Sequence, residues 1–173
     1  MKKSKKQIFI FNQYYYPAFK AGGPIKSIKL IKDELELKFE ISIFTSPFDI
    51  DKKNVFKLKK KIKGLNYFKN YVCLLLFLFK NYFLKKLNTT VYFNSFFNFK
   101  YTILPLIFFK FFTSDKSIIL APRGELFDTE LTKKFLRKKI YLLFFNFFLK
   151  KSVIFHATSV DEKKEIKKNF FKN

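Results

Sequence analysis

The sequence predicts an α/β domain: a parallel sheet with helices on both faces. Three observations predict it. Short apolar runs, such as IFIF at 8–11 and VIF at 153–155, alternate with segments of helical length and spacing. The runs are apolar almost throughout, as strands buried on both sides must be. The first run leads through a loop into Gly22-Gly23-Pro24 and an amphipathic stretch. There, glycine backbone can approach a ligand closely, and the helix start behind it favours an anion.

The expected elements follow in order. The first strand covers 7–14. A helix follows Pro24, which suits a first helical position, with Ile28, Ile31 and Leu35 at helical spacing. Strands are expected at Glu40–Thr45, closed by Ser46-Pro47, and near 65–68. Between them, 49–63 is lysine-rich and reads as a surface excursion. A helix over 71–86, a strand at 90–94 and a helix over 100–112 come next, with Pro105 kinking that helix or sitting in its first turn. A strand at 117–121 stops at Pro122. A long helix over 131–150, a strand at 153–157 and a helix at Val160–Phe170 complete the chain. At 173 residues it is expected to be a single domain. Ligands on such sheets bind beyond the carboxyl ends of the strands.

Composition narrows the partners. The net charge is +23, and all but two of the 36 cationic residues are lysine, the exceptions being Arg123 and Arg137. Such a surface attracts nucleic acid, anionic lipid or phosphorylated sugars. A bias toward Lys, Phe, Asn and Ile codons accounts for the charge equally well; the field exists either way. The charge alone also fits a non-enzymatic basic module that binds nucleic acid or a membrane; against nucleic acid, no recognised motif is present and the lysines are spread rather than gathered on one periodic face. The single cysteine, Cys73, excludes an internal disulfide and a cysteine-based metal cluster, and reads as a small core residue. The apolar stretches at 71–79, 101–109 and 140–149 are too short to span a bilayer, and the basic start is no convincing signal peptide.

Four short segments carry candidate chemistry. Ala21-Gly22-Gly23-Pro24 lacks the dinucleotide fingerprint and the Walker lysine, but serves as a phosphate-approach loop or an ordinary turn. In Pro122-Arg123-Gly124-Glu125, Arg123 leaves the carboxyl edge and suits bidentate contact with phosphate or carboxylate. The competing reading pairs it with Asp128 or Glu130. Asn94 and Ser95 end a strand, where they bond sugar hydroxyls or phosphate, or cap the next helix. His156, the only histidine, ends the 153–157 strand; it touches substrate or is a hydrogen-bonded core residue. Ser159 and Glu162 have the spacing of a capping box. No metal site or serine-histidine-acid triad is supported.

Taken together, FNQYYYPAFKAGGPIKSI, YFNSFFNFKYTILPL, IILAPRGELFDTELTKKFLRKKIY and VIFHATSVDEKKEI resemble, in order, the N-terminal domain of a GT-B glycosyltransferase of the retaining family 4 group. The resemblance implies a Rossmann-like domain, one half of a GT-B fold. It would transfer a sugar from a nucleotide-sugar donor to a glycan or lipid-linked acceptor in cell-surface polysaccharide synthesis, without a metal or other cofactor. It places Gly22 and Gly23 near donor phosphates or the acceptor, and Arg123 and Gly124 on the acceptor side. Many members carry histidine where this chain has Asn94, so no catalytic residue carries over. The donor-binding half is not expected within these residues. This chain is therefore expected to be inactive alone, which leaves room for a separate donor-binding subunit. The expected location is cytoplasmic, peripheral to the inner face of the membrane, with lysines meeting anionic lipid. Phenylalanines at 71–84 and 140–149 are expected to pack mostly in the core, with any exposed ones meeting the interface.

Overall fold

A computed structural model describes residues 6–51, 62–84 and 86–171. It contains a six-stranded sheet of order β3-β2-β1-β4-β5-β6 in which every pairing is parallel. The strands are β1 (Gln7–Phe11), β2 (Glu40–Thr45), β3 (Leu65–Tyr67), β4 (Lys86–Phe93), β5 (Ser114–Leu120) and β6 (Ile154–Phe155). The order steps outward from β1 to β3, then returns across to β4 and continues to β6. The direction reverses between β1 and β4, and that is where such a sheet opens a crevice. The expected α/β class, Rossmann-like with helices on both faces, is what the chain adopts.

Strand alternation divides the core. Ile8, Ile10, Ile43, Tyr92 and Ala121 pack with Ile25 and Ile28 of α1 (Gly23–Leu35). On the other face, Phe9, Phe11, Phe44, Phe93 and Leu120 meet the remaining long helices. These are α2 (Tyr71–Tyr82), α3 (Leu104–Phe112), α5 (Phe135–Phe144) and α6 (Val160–Phe170). Much of that second core is aromatic: Phe11 stacks on Phe44 with centroids 4.5 Å apart, and Phe145 meets Phe96 edge to face at 4.8 Å. No helix among the described residues is long and apolar enough to cross a membrane.

Several boundaries differ from expectation, each for a local reason. β1 stops at Phe11 rather than residue 14, because the Asn12 side chain turns the chain by donating to the Tyr14 carbonyl at 2.6 Å. α2 ends at Tyr82, and Leu84 takes a left-handed φ of 54° while its N–H donates to the Phe112 carbonyl. β4 begins at Lys86, before the expected residue 90, with a register shift between Lys86 and Thr89. The helix expected over 100–112 opens with a π-helical turn (Phe99–Ile103), and Pro105 sits at the start of α3. The single helix expected over 131–150 is broken. A short α4 (Asp128–Leu131) precedes a left-handed Lys134, then α5, a π-helical turn (Phe145–Leu149) and a 3-10 turn (Lys150–Ser152). Of the lysine-rich 49–63, residues 52–61 lie outside the described residues.

Two side chains correct the sequence reading. Cys73 is exposed on α2 rather than part of the core. Asp49, at the start of the expected surface excursion, is buried and tethers the loop after β1 by accepting from the N–H groups of Phe19 and Lys20. Gly64 shows where the backbone tolerates no side chain: its φ is +77°, and a Cβ would lie 2.5 Å from the Ile41 carbonyl oxygen. Gly64→Ala is expected to cost about 2 kcal/mol, read as a fall in thermal midpoint.

Candidate functional site

The carboxyl ends of β1, β4, β5 and β6 carry one continuous line of polar side chains. Asn12 follows β1 and accepts from Asn94 Nδ2 at 3.2 Å. Asn94 follows β4, and its Oδ1 accepts from Arg123 Nε at 2.6 Å. Arg123 Nη2 donates to the Tyr92 hydroxyl at 3.1 Å. That hydroxyl lies 3.0 Å from His156 Nδ1. Tyr92 donates to Nδ1 in one imidazole tautomer and accepts from Nδ1–H in the other, and Arg123 donates to the hydroxyl in both. Burial raises the Tyr92 pKa above its ordinary value, and the Arg123 charge works against that rise. The phenol therefore stays a hydrogen-bonding group at neutral pH.

The line gathers three residues singled out from sequence, Asn94, Arg123 and His156. It adds two that sequence reasoning missed, Asn12 and Tyr92. The parity of the strands carried the signal. Tyr92 lies two residues before Asn94, so both fall on the α1 face. The competing reading, an ion pair of Arg123 with Asp128 or Glu130, does not hold: Asp128 pairs with Lys168 and Glu130 with Lys133. Arg123 instead spends two of its donors on Asn94 and Tyr92, and among the described residues Nη1 has no protein partner. The reading of His156 as a hydrogen-bonded core residue is corrected in part: it is hydrogen-bonded to Tyr92, but the residue is exposed.

Arg123 is held in a costly conformation. Its φ is 55°, in the left-handed region that non-glycine residues disfavour, and Gly124 follows at 79°. Two carboxylates clamp this turn. Glu162 Oε1 accepts from the Gly124 N–H at 2.7 Å, and its Oε2 accepts from the Thr158 N–H and hydroxyl. Glu125 Oε2 accepts from the N–H groups of Phe96 and Phe97. Burial alone would raise the Glu162 carboxyl. The Thr158 and Gly124 hydrogen bonds, with the Arg123 charge, outweigh it and hold the group below the usual carboxylate range. For Glu125 burial wins, and its pKa is raised. The capping box is half realised. Ser159 Oγ accepts from the Glu162 N–H at 3.1 Å, while the Glu162 carboxylate bypasses Ser159 for Thr158 and Gly124.

Two other sequence candidates are engaged by the protein itself. The Gly124 N–H goes to Glu162, so Gly124 shapes the turn rather than offering a donor. The Ser95 hydroxyl lies 2.8 Å from that of Thr102, pinning the π-helical turn. Gly22 and Gly23 remain open. Gly22 takes a φ of 61°, a Cβ on either would meet nothing within 4 Å, and among the described residues the Gly23 N–H has no acceptor. α1 runs antiparallel to the strands, so its glycine start lies at the carboxyl edge. It packs on the face that holds Tyr92 and Ala121. The glycine turn and the Arg123 corner therefore share one edge and one face.

Beside the line, at the same edge, a recess of about 390 Å³ is lined by residues including Gln13, Tyr14, Asp49, Lys100 and Tyr101. Burial lowers the Lys100 ammonium to about 8. A larger hollow of about 1160 Å³ lies at the opposite, amino edge among Lys32, Glu36, Glu40 and Lys63, away from this line. No group of three or more metal-ligating side chains occurs among the described residues. No known protein family, curated protein sequence or solved structure matches the chain.

Proposed function

We propose that this chain is the acceptor-side domain of a GT-B, family 4-like glycosyltransferase. Such an enzyme moves a sugar from a nucleotide-sugar donor to a glycan or lipid-linked acceptor during cell-surface polysaccharide synthesis. The reading is supported most by the hydrogen-bonded line Asn12–Asn94–Arg123–Tyr92–His156, on the same sheet edge as the open Gly22-Gly23 turn. In this reading the free Nη1 edge of Arg123 and the Gly23 N–H bind phosphate oxygens. His156 and the Asn side chains bond sugar hydroxyls. Tyr92 and Asn94 hold the guanidinium plane fixed, so little order is lost on binding. The chain positions an acceptor; no catalytic residue is assigned to it. The proposed place of work is the cytoplasmic side of the membrane.

Binding of a short-chain polyprenyl phosphate, followed by calorimetry, tests this reading. Saturable binding that survives a tenfold excess of single-stranded RNA is expected. Displacement by the RNA at low salt would instead favour a general polyanion surface.

A further inference from the structure

α5 and the π-helical turn after it carry an exposed apolar stripe. Leu136, Ile140, Leu143 and Phe147 are 69%, 60%, 64% and 82% exposed. Their steps of four, three and four residues place them in one narrow arc. Tyr141, Phe145 and Leu149 point the other way, into the core. Phe145 and Leu149, four residues apart, both face inward. The neighbouring Phe147 and Phe148 are left at the surface, their rings 4.7 Å apart and edge to face. Around the stripe, residues 131–152 hold seven cations and no carboxylate.

This combination decides the occupant. A second copy of the chain would bring two strongly basic rims together. An anionic bilayer accepts both features: the stripe enters the acyl boundary, and Arg137 and Lys139 extend to the phosphates. We propose that the α5 face docks on an anionic phospholipid surface. α5 starts shortly after the Arg123 turn, at the carboxyl edge of the sheet. Docking therefore sets the Arg123 corner beside the lipid–water interface, where the phosphate of a lipid-linked acceptor lies. That consequence rests on the glycosyltransferase reading; the docking does not.

The chain contains no tryptophan, so a single one reports its own surroundings. Phe147→Trp and, as control, Leu30→Trp on α1 at the opposite face are mixed with phosphatidylcholine vesicles holding about 30 mol% phosphatidylglycerol. The expected result is a blue shift of roughly 10 nm at position 147, with quenching by brominated acyl chains and no change at position 30. Adding Leu143→Glu is expected to lower co-flotation at least tenfold at an unchanged thermal midpoint. The proposal is overturned by a water-exposed tryptophan at 147 on vesicles, by equal responses at 147 and 30, or by unchanged flotation of the Leu143→Glu variant. A vesicle-free blue shift that grows with protein concentration would assign the stripe to self-association and overturn it too. Arg123→Ala should float like the parent, so loss of docking and loss of phosphate binding are read separately.

Discussion

Glu162→Ala is expected to destabilise the fold by about 4 kcal/mol, because the N–H groups of Gly124 and Thr158 and the Thr158 hydroxyl lose their acceptor together. Glu162 is 1% exposed, so water cannot replace the carboxylate without opening the packing between α6 and the Arg123 turn. Glu162→Gln keeps one acceptor oxygen and is expected to lose roughly half as much. The two variants are compared by urea unfolding. The same carboxylate predicts a pH dependence. Its folded pKa is depressed, so its stabilisation is fully present above the unfolded value of about 4.3 and is lost as pH falls through the folded pKa. Glu125 has the opposite sign: its raised pKa lets stability fall as pH climbs from the unfolded value through the folded one. In Glu162→Gln the acid-side loss is expected to shrink while the Glu125 slope remains.

Arg123→Ala is expected to weaken binding of a polyprenyl phosphate about 100-fold, or about 2.7 kcal/mol. The guanidinium supplies a charged, planar donor edge whose orientation Asn94 and Tyr92 have already fixed. Arg123→Lys is expected to recover little, since one ammonium cannot hold Asn94, Tyr92 and a phosphate at once. Fold stability should change far less than affinity, because the left-handed backbone at Arg123 already costs about 1 kcal/mol and is set by the clamped Gly124 turn. A residue kept in a disfavoured conformation, with its donors aimed along the sheet edge, fits a role in recognition more than in stability.

Much of the fold was legible because burial on both faces leaves unbroken apolar runs. β2 and α6 fall at their expected bounds, the first ended by Ser46-Pro47 and the second opened by the Ser159 cap. The start of β4 was hidden because residues 86–90 are mostly polar, and a polar run reads as loop. The break at Lys134 was hidden because a lysine in the left-handed region has no sequence signature. Of the site, Asn94, Arg123 and His156 were visible as strand-ending polar residues. Tyr92 was not, because a tyrosine within an apolar strand reads as core, and only the arrival of Arg123 and His156 at its hydroxyl gives it a part. Glu162 looked like a local cap, although one of its oxygens reaches across to Gly124. Phenylalanines divided as helical geometry requires: Phe145 entered the core and Phe147 stayed outside.

The most direct measurement is the map of backbone amide shifts when a short-chain polyprenyl phosphate is added to the isotopically labelled chain. The predicted result is a single cluster of saturable changes at Gly22, Gly23, Asn94, Arg123 and His156, absent from the Arg123→Ala variant. Changes confined to the amino edge around Lys32 and Lys63, or spread evenly over the lysines, would contradict a phosphate-binding crevice between the glycine turn and the Arg123 corner.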